Sequence, residues 1–266
     1  MSRRSALMRP VMVQAGFAYT YSGTSSESIV TFGGKQYLQI MLTKTGVLTV
    51  LGPGSAQVWL AGGGSSGCAI KALIPTEYGN GGGGGDVESA DVGLVSGTIA
   101  VTIGAGGNST SGNTGAQNSG SATKFGDIVA SGASGADGAS GGGAGYNRSS
   151  AGTGAGVSTY PFKDTTNFSG RAHSPGGGGS GALSVVGGRG GSNGSSGSKH
   201  TTTGASAASA GGAYGGGNGP AYNGSGVTSG SFYGAGGGGG NHNSASTGAG
   251  YQGVVYIRVP IEEVAS

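Results

Sequence analysis

Apolar and polar residues alternate along several short stretches of the chain, and the three- and four-residue spacing of an amphipathic helix is absent. In PVMVQAGFAYTY, Val11, Val13, Ala15, Phe17, Tyr19 and Tyr21 share one face of an extended segment. The same period of two marks YLQIMLT (37–43), GVLTVL (46–51), QVWLAG (57–62), TIAVTIG (98–104), KFGDIVA (124–130) and VVYIRV (254–259). In QVWLAG, Val58 and Leu60 oppose Trp59. Asp86, Glu88 and Asp91 read as the polar side of one more strand. Short strands set between glycine, proline and serine turns predict an all-β fold, an antiparallel β-sandwich with essentially no α-helix.

The closing strand poses a problem of partners. Of the 43 Leu, Ile, Val and Phe residues, 29 lie in 1–131 and only 8 in 132–251. Nothing in the preceding hundred residues has the apolar content to pair and pack with VVYIRV. The strand must therefore pair with the N-terminal half, which makes 132–251 an excursion with both ends fixed in one sandwich.

That excursion holds 40 of the 67 glycines in its 120 residues. Charge does not hold it open, because the formal net charge is only +3 and 9% of residues are charged. A structureless loop of this length within a compact domain runs against ordinary loop lengths. Collagen fails as well: Gly132, Gly135, Gly138 and Gly141 keep a period of three, the register then breaks at GGGAGY, and the whole chain has 7 prolines.

An inserted bundle of polyglycine II helices fits better. Such left-handed threefold helices have no internal hydrogen bonds, so every N–H and C=O must find a neighbouring helix. Ordering a glycine costs about 0.5–1 kcal/mol more than ordering an alanine, and each hydrogen bond returns about 1 kcal/mol net. An isolated helix fails on those terms, whereas a saturated bundle anchored on a sandwich does not. Candidate runs are 62–67, 79–85, 104–107, 132–145, 176–191, 211–219 and 234–250. The expected organisation is an N-terminal attachment segment (1–35), a sandwich (36–131 plus 252–260) and a glycine bundle with edge loops (132–251).

Between the runs lie segments that hold most of the excursion's aromatic and histidine residues. If the runs cross a slab, these segments are the loops at its edge, where recognition usually resides. Tyr146, Tyr160, Phe162, Phe168, His173, Tyr222, Phe232, Tyr233 and His242 are thus candidate receptor contacts, and Tyr214 belongs to the same set of loop aromatics. The competing reading of the aromatic residues is structural, with their rings capping the ends of the bundle.

No enzyme is expected. The G-x-S-x-G frames at 63–67 and around Ser192 lack the strand-to-helix turn of a nucleophile elbow. No phosphate-binding GxxxxGK[ST] occurs. His173, His200 and His242 have none of the short spacings of a metal site, and GGGGGDVES (81–89) starts like a calcium-binding repeat but occurs once. No cofactor or metal is therefore assigned. The single Cys68 excludes an internal disulfide, no secretory pattern opens the chain, and no apolar stretch is long enough to span a membrane. The basic residues are scattered, so nucleic acid is not an expected partner.

TGVLTVLGPGSAQVWLAGGGSSG (45–67), GNGGGGGDVESADVGLVSGTIAVTIGAGG (79–107), GSATKFGDIVASGASGADG (120–138) and GAGYQGVVYIRVP (248–260), in that order, resemble the glycine-rich domain of bacteriophage tail fibre and adhesin proteins. The resemblance covers roughly 36–260. It implies a small β-sandwich carrying a polyglycine II bundle, as in the distal adhesins of T-even-like phages, whose variable edge loops contact the host surface. It further implies a virion-surface protein of tail or fibre, assembled in the host cytoplasm. The partners expected are a bacterial surface receptor, either outer membrane protein or glycan, other virion proteins, and further copies in a homotrimer. Arg3, Arg4 and Arg9 are the candidate virion attachment residues.

Overall fold

A computed structural model of the chain describes residues 17–68, 79–111, 116–135, 162, 173–174, 176–177, 216–219, 227–240 and 246–261. Its strands form two five-stranded antiparallel sheets. The first comprises β1 (Ala18–Tyr21), β4 (Gly46–Gly52), β7 (Gly97–Thr102), β8 (Thr123–Phe125) and β9 (Ile128–Ala130), in the order β1-β4-β7-β8-β9. The second comprises β2 (Ser25–Phe32), β3 (Lys35–Leu42), β5 (Gly54–Ala61), β6 (Val87–Leu94) and β10 (Val254–Pro260), in the order β2-β3-β10-β5-β6. No helix is present among the described residues.

Alternation decides what goes inside. Leu38, Ile40 and Leu42 of β3, Val58 and Leu60 of β5, and Val255, Ile257 and Val259 of β10 meet Leu48, Val50, Val101 and Phe125 of the facing sheet in one buried core. Phe17, Tyr19 and Tyr21 pack against its margin, on the common face their spacing predicts. The C-terminal strand takes the central place of its sheet, with Ile257 opposite Ile40 on one side and Val58 on the other. Its partners are both N-terminal, as the shortage of apolar residues before it requires.

The elements differ from expectation in four places. SSESIVTF forms β2, although its alternation is faint, because Gly33 and Gly34 turn it back onto β3 with φ of 55° and 77°. Two successive positive φ values are those of a tight hairpin turn, which glycine supplies without strain. KFGDIVA is a hairpin of β8 and β9 across Gly126, again at positive φ. Glu88 and Asp91 both lie on β6 but pair with Leu60 and Gln57, which point to opposite faces, so they are not one polar side. Residues 18–32, expected in the attachment segment, contribute β1 and β2 to the two sheets.

Beyond the strands, the chain continues into extended glycine-rich runs that form no β ladder among the described residues, with an isolated antiparallel bridge between Ser111 and Ser246. β5 passes directly into 62–68, 79–86 leads into β6, β7 continues as 104–111, 116–121 leads to β8, β9 continues as 131–135, and 246–253 leads into β10. The hydrogen bonds of the 62–68 run rotate with a period of three. The amides of Gly62, Ser65 and Cys68 donate to the carbonyls of Asp86, Gly83 and Asn80. Those of Gly63 and Ser66 donate to Ser121 and Asn118, and those of Gly64 and Gly67 to Tyr251 and Gly248. On the acceptor side, the carbonyl of Gly63 bonds the amide of Ala133, that of Gly64 bonds Gly107, and those of Ser65 and Cys68 bond Gly237 and Gly240.

One run thus touches six others: 79–86, 116–121 and 246–253 as donor, and 131–135, 104–111 and 234–240 as acceptor. Three bonding directions per three residues define a threefold helix in hexagonal packing. Among the described run glycines only Gly135 and Gly234 have positive φ, so the runs take the left-handed form. The bundle draws on both halves of the chain, as the runs at 62–67, 79–85 and 104–107 anticipated. The expected run 234–250 is two antiparallel runs, since Gly248 and Tyr251 donate to Gly238 and Ala235. Runs 116–121 and 227–230 were unexpected, being mixed with Ala, Asn, Gln, Ser, Thr and Val. Residues 136–145, 178–191 and 211–215 of the remaining expected runs lie outside the described residues.

Close packing explains the glycines. A Cβ on Gly62, Gly63, Gly64 or Gly67 would lie 2.0, 2.1, 2.0 or 2.0 Å from the carbonyl oxygen of Ser131, Ala105, Ala235 or Gly238. Ser65 and Ser66 fit in the same buried run because their hydroxyls join the lattice: Oγ of Ser65 accepts at 2.8 Å from the Gly83 amide, which it shares with the Gly135 carbonyl, and Oγ of Ser66 accepts from the Asn118 amide at 2.8 Å. Gly64→Ala should therefore cost about 3 kcal/mol or more in chemical denaturation, as overpacking against backbone that has no room to yield. Gly93→Ala, on β6 with nothing within 4 Å of the added carbon, should change stability by no more than about 1 kcal/mol.

Candidate functional site

β10 is buried along both faces, although only one of them meets the sandwich core. Val254 and Tyr256 on its outer face join Trp59 and Ala61 of β5 in a second apolar cluster, with Met41 and Val87 beside them. Four residues carried back from the excursion cover this plate. His173 sits edge-on to Trp59 with ring centres 5.1 Å apart and edge-on to Tyr256 at 5.3 Å, while Phe232 lies at 4.7 Å and Tyr233 is stacked at 6.1 Å. Phe162 completes the cover. Edge and offset contacts of this kind are the favoured arrangements of aromatic rings.

The polar atoms in the cover are partly matched. His173 Nε2 lies 3.1 Å from the Tyr256 hydroxyl, a buried pair in which each group spares the other an unsatisfied bond. The Arg258 Nε donates to Gln39 Oε1 at 3.0 Å, and the guanidinium carbon stands 4.4 Å from the Phe162 ring centre and 4.9 Å from that of Phe32. Rings on the cation replace some of its lost hydration, though Nη1 has no hydrogen-bond partner among the described residues. Burial lowers the Arg258 pKa from its ordinary value, and Tyr37 works against that shift. Burial raises the Tyr256 phenol, and Tyr233 adds to the effect; Tyr233 itself is raised by burial and by Tyr251.

Of the expected receptor contacts, Phe162, His173, Phe232 and Tyr233 come together here. His173 is 3% exposed, with its imidazole packed in the cluster and beside the Tyr256 hydroxyl. Phe162, Phe232 and Tyr233 are half-buried and keep an outward edge. Tyr146, Tyr160, Phe168, Tyr214, Tyr222, His200, His242, Arg3, Arg4 and Arg9 lie outside the described residues. Trp59, Tyr256 and Arg258 were not anticipated as part of such a cluster. The signal was present in VVYIRV, because a strand with large residues at both parities needs cover on both faces.

Ser65, the central residue of the first G-x-S-x-G frame, is fully buried in the glycine lattice with its hydroxyl bonded to Gly83 and Gly135. Among the described residues no three His, Cys, Asp or Glu side chains gather as metal ligands, and no helix is long and apolar enough to cross a membrane. The chemistry of the aromatic cluster is adhesion of the excursion to the sheet.

Truncating Trp59→Ala should cost about 3–5 kcal/mol in denaturant unfolding, as the loss of a large buried ring. For Tyr256, the raised folded-state pKa means that its stabilisation is complete below about pH 10, where the unfolded phenol ionises, and falls as pH rises further. Tyr256→Phe should lose about 1 kcal/mol near neutrality and show a shallower alkaline decline than the parent, measured by unfolding at stepped pH.

No curated protein matches the chain. A family model described as a glycine-rich domain matches residues 43–260, from the turn before β4 through the closing strand. The matched span contains the lattice runs, the central sheet strands and the strand that closes the sandwich, and on that basis the chain belongs to the glycine-rich domain family.

Proposed function

We propose that this chain is a non-enzymatic phage virion protein, a tail fibre or tail-tip adhesin that binds a bacterial surface receptor through loops at the edge of its glycine bundle. The observation that carries the reading is the lattice itself. A hydrogen-bonded slab fixes both ends of each segment that leaves it, which is the property a platform for recognition loops requires. The order of motifs from the strand before the first glycine run to the closing strand supports the phage affiliation by resemblance. Arg3, Arg4 and Arg9 would contact another virion protein, and the receptor would be an outer membrane protein or a glycan.

A second reading, a purely structural fibre, neck or capsid component, draws support from the aromatic cluster. Rings first read as receptor contacts are engaged in holding the excursion to the sheet. The two readings separate on cell binding. Labelled protein should bind host cells saturably, and alanine at Tyr160 and Phe168 should reduce that binding at least tenfold with an unchanged melting curve. Absence of saturable binding to every host that the particle infects would favour the structural component.

A further inference from the structure

The outer face of the second sheet has a polar end that the aromatic cover reaches through Phe162 on Arg258. Ser28, Gln39, Arg258, Gln57 and Asp91 follow one another across all five strands in a single row of cross-strand neighbours. One step further along, the sheet splits. β10 stays with β3, where Pro260 pairs with Tyr37 and Ile261 donates to the Gln36 carbonyl at 2.9 Å. Its ladder with β5 ends at Arg258 and Gln57, while β5 and β6 run on together to Gly54 and Leu94. Proline has no N–H with which to continue a ladder, so the split follows from the residue that ends β10.

The split leaves a cleft of about 410 Å³. Tyr37 and Pro260 line it on one side, and Ser55, Gln57, Asp91 and Gly93 on the other. The Gln57 amide and the Asp91 carboxylate make no hydrogen bond or ion pair among the described residues. An added carbon on Gly93 would meet nothing within 4 Å, so the space beside this residue is open. The walls differ in kind: the aromatic face of Tyr37 and the aliphatic ring of Pro260 stand opposite an amide and a carboxylate.

The geometry points to a binding site for a pyranose unit of a glycan, seated with its C–H face on Tyr37 and Pro260 and its hydroxyls on Gln57 and Asp91. A sugar ring has that same two-sidedness. Its axial C–H groups form an apolar face suited to an aromatic ring, and its adjacent hydroxyls donate together to one carboxylate while an amide both donates and accepts. The volume is at the lower end of small-ligand sites, which holds roughly one or two such rings. The site lies on the sandwich, not on the loops of the bundle, and does not rest on the virion reading.

Saturation-transfer NMR on the full chain tests it, with the methyl glycosides of glucose, galactose and mannose and with N-acetylglucosamine as probes. At least one sugar should bind saturably at millimolar concentration. Asp91→Asn and Gln57→Ala, both at accessible positions, should each weaken that binding at least tenfold while the melting temperature stays in place, and Tyr37→Ala should abolish it. Lack of saturable binding across the panel, or binding that survives the paired Asp91 and Gln57 substitutions, would overturn the assignment.

Discussion

Where the apolar side chains of the strands stop and glycine begins, two sheets held apart by a core are able to touch backbone to backbone. This contact organises the molecule. The run after β5 keeps neighbours from its own sheet, 79–86 and 246–253, and adds 104–111, 116–121 and 131–135 from strands of the facing sheet. A single side-chain layer gives way to direct hydrogen bonds between layers, which is possible only because the carbonyls lie where a Cβ would otherwise stand. The sixth neighbour, 234–240, belongs to the long excursion, so the same lattice that fuses the sheets also receives the returning chain.

This arrangement explains how a chain so poor in large apolar residues holds one fold. The sandwich core supplies hydrophobic burial, and the lattice supplies saturation of backbone groups where no side chains are present to bury. Neither part is free of the other. The aromatic cluster around His173 adds a third attachment, fastening the excursion to the outer face of the strand that closes the sandwich. A rigid slab of this kind suits the presentation of loops, and the proposed sugar cleft would give the sandwich a recognition surface of its own.

Much of the fold was legible in the sequence because its strands obey the period of two and its glycines come in runs. The partners of VVYIRV followed from a shortage of apolar residues elsewhere. β2 was missed because SSESIVTF lies at an exposed sheet edge, where burial imposes little pattern, although the two glycines after it are a hairpin signal. Run 116–121 was missed because hydroxyl and amide side chains take the place of glycine there, exposed at Ser119 and Ser121 or, at Gln117 and Asn118, donating to carbonyls of neighbouring runs. The candidate site was legible only in part: the loop aromatics were noticed, but not that His173 would be drawn beneath Phe232 onto Trp59 and Tyr256. The contacts of His173 with Trp59 and Tyr256 join residues more than eighty positions apart, and no local pattern encodes them.

Residue-resolved amide hydrogen exchange tests the glycine lattice most directly. Ordered runs predict that the amides of Gly63, Gly64, Gly67 and Gly237, each bonded to another run, exchange nearly as slowly as Ile257 in the central strand. Exchange of these glycines at the rate of an open coil, with Ile257 still protected, would show that the sandwich stands without a lattice and would contradict it.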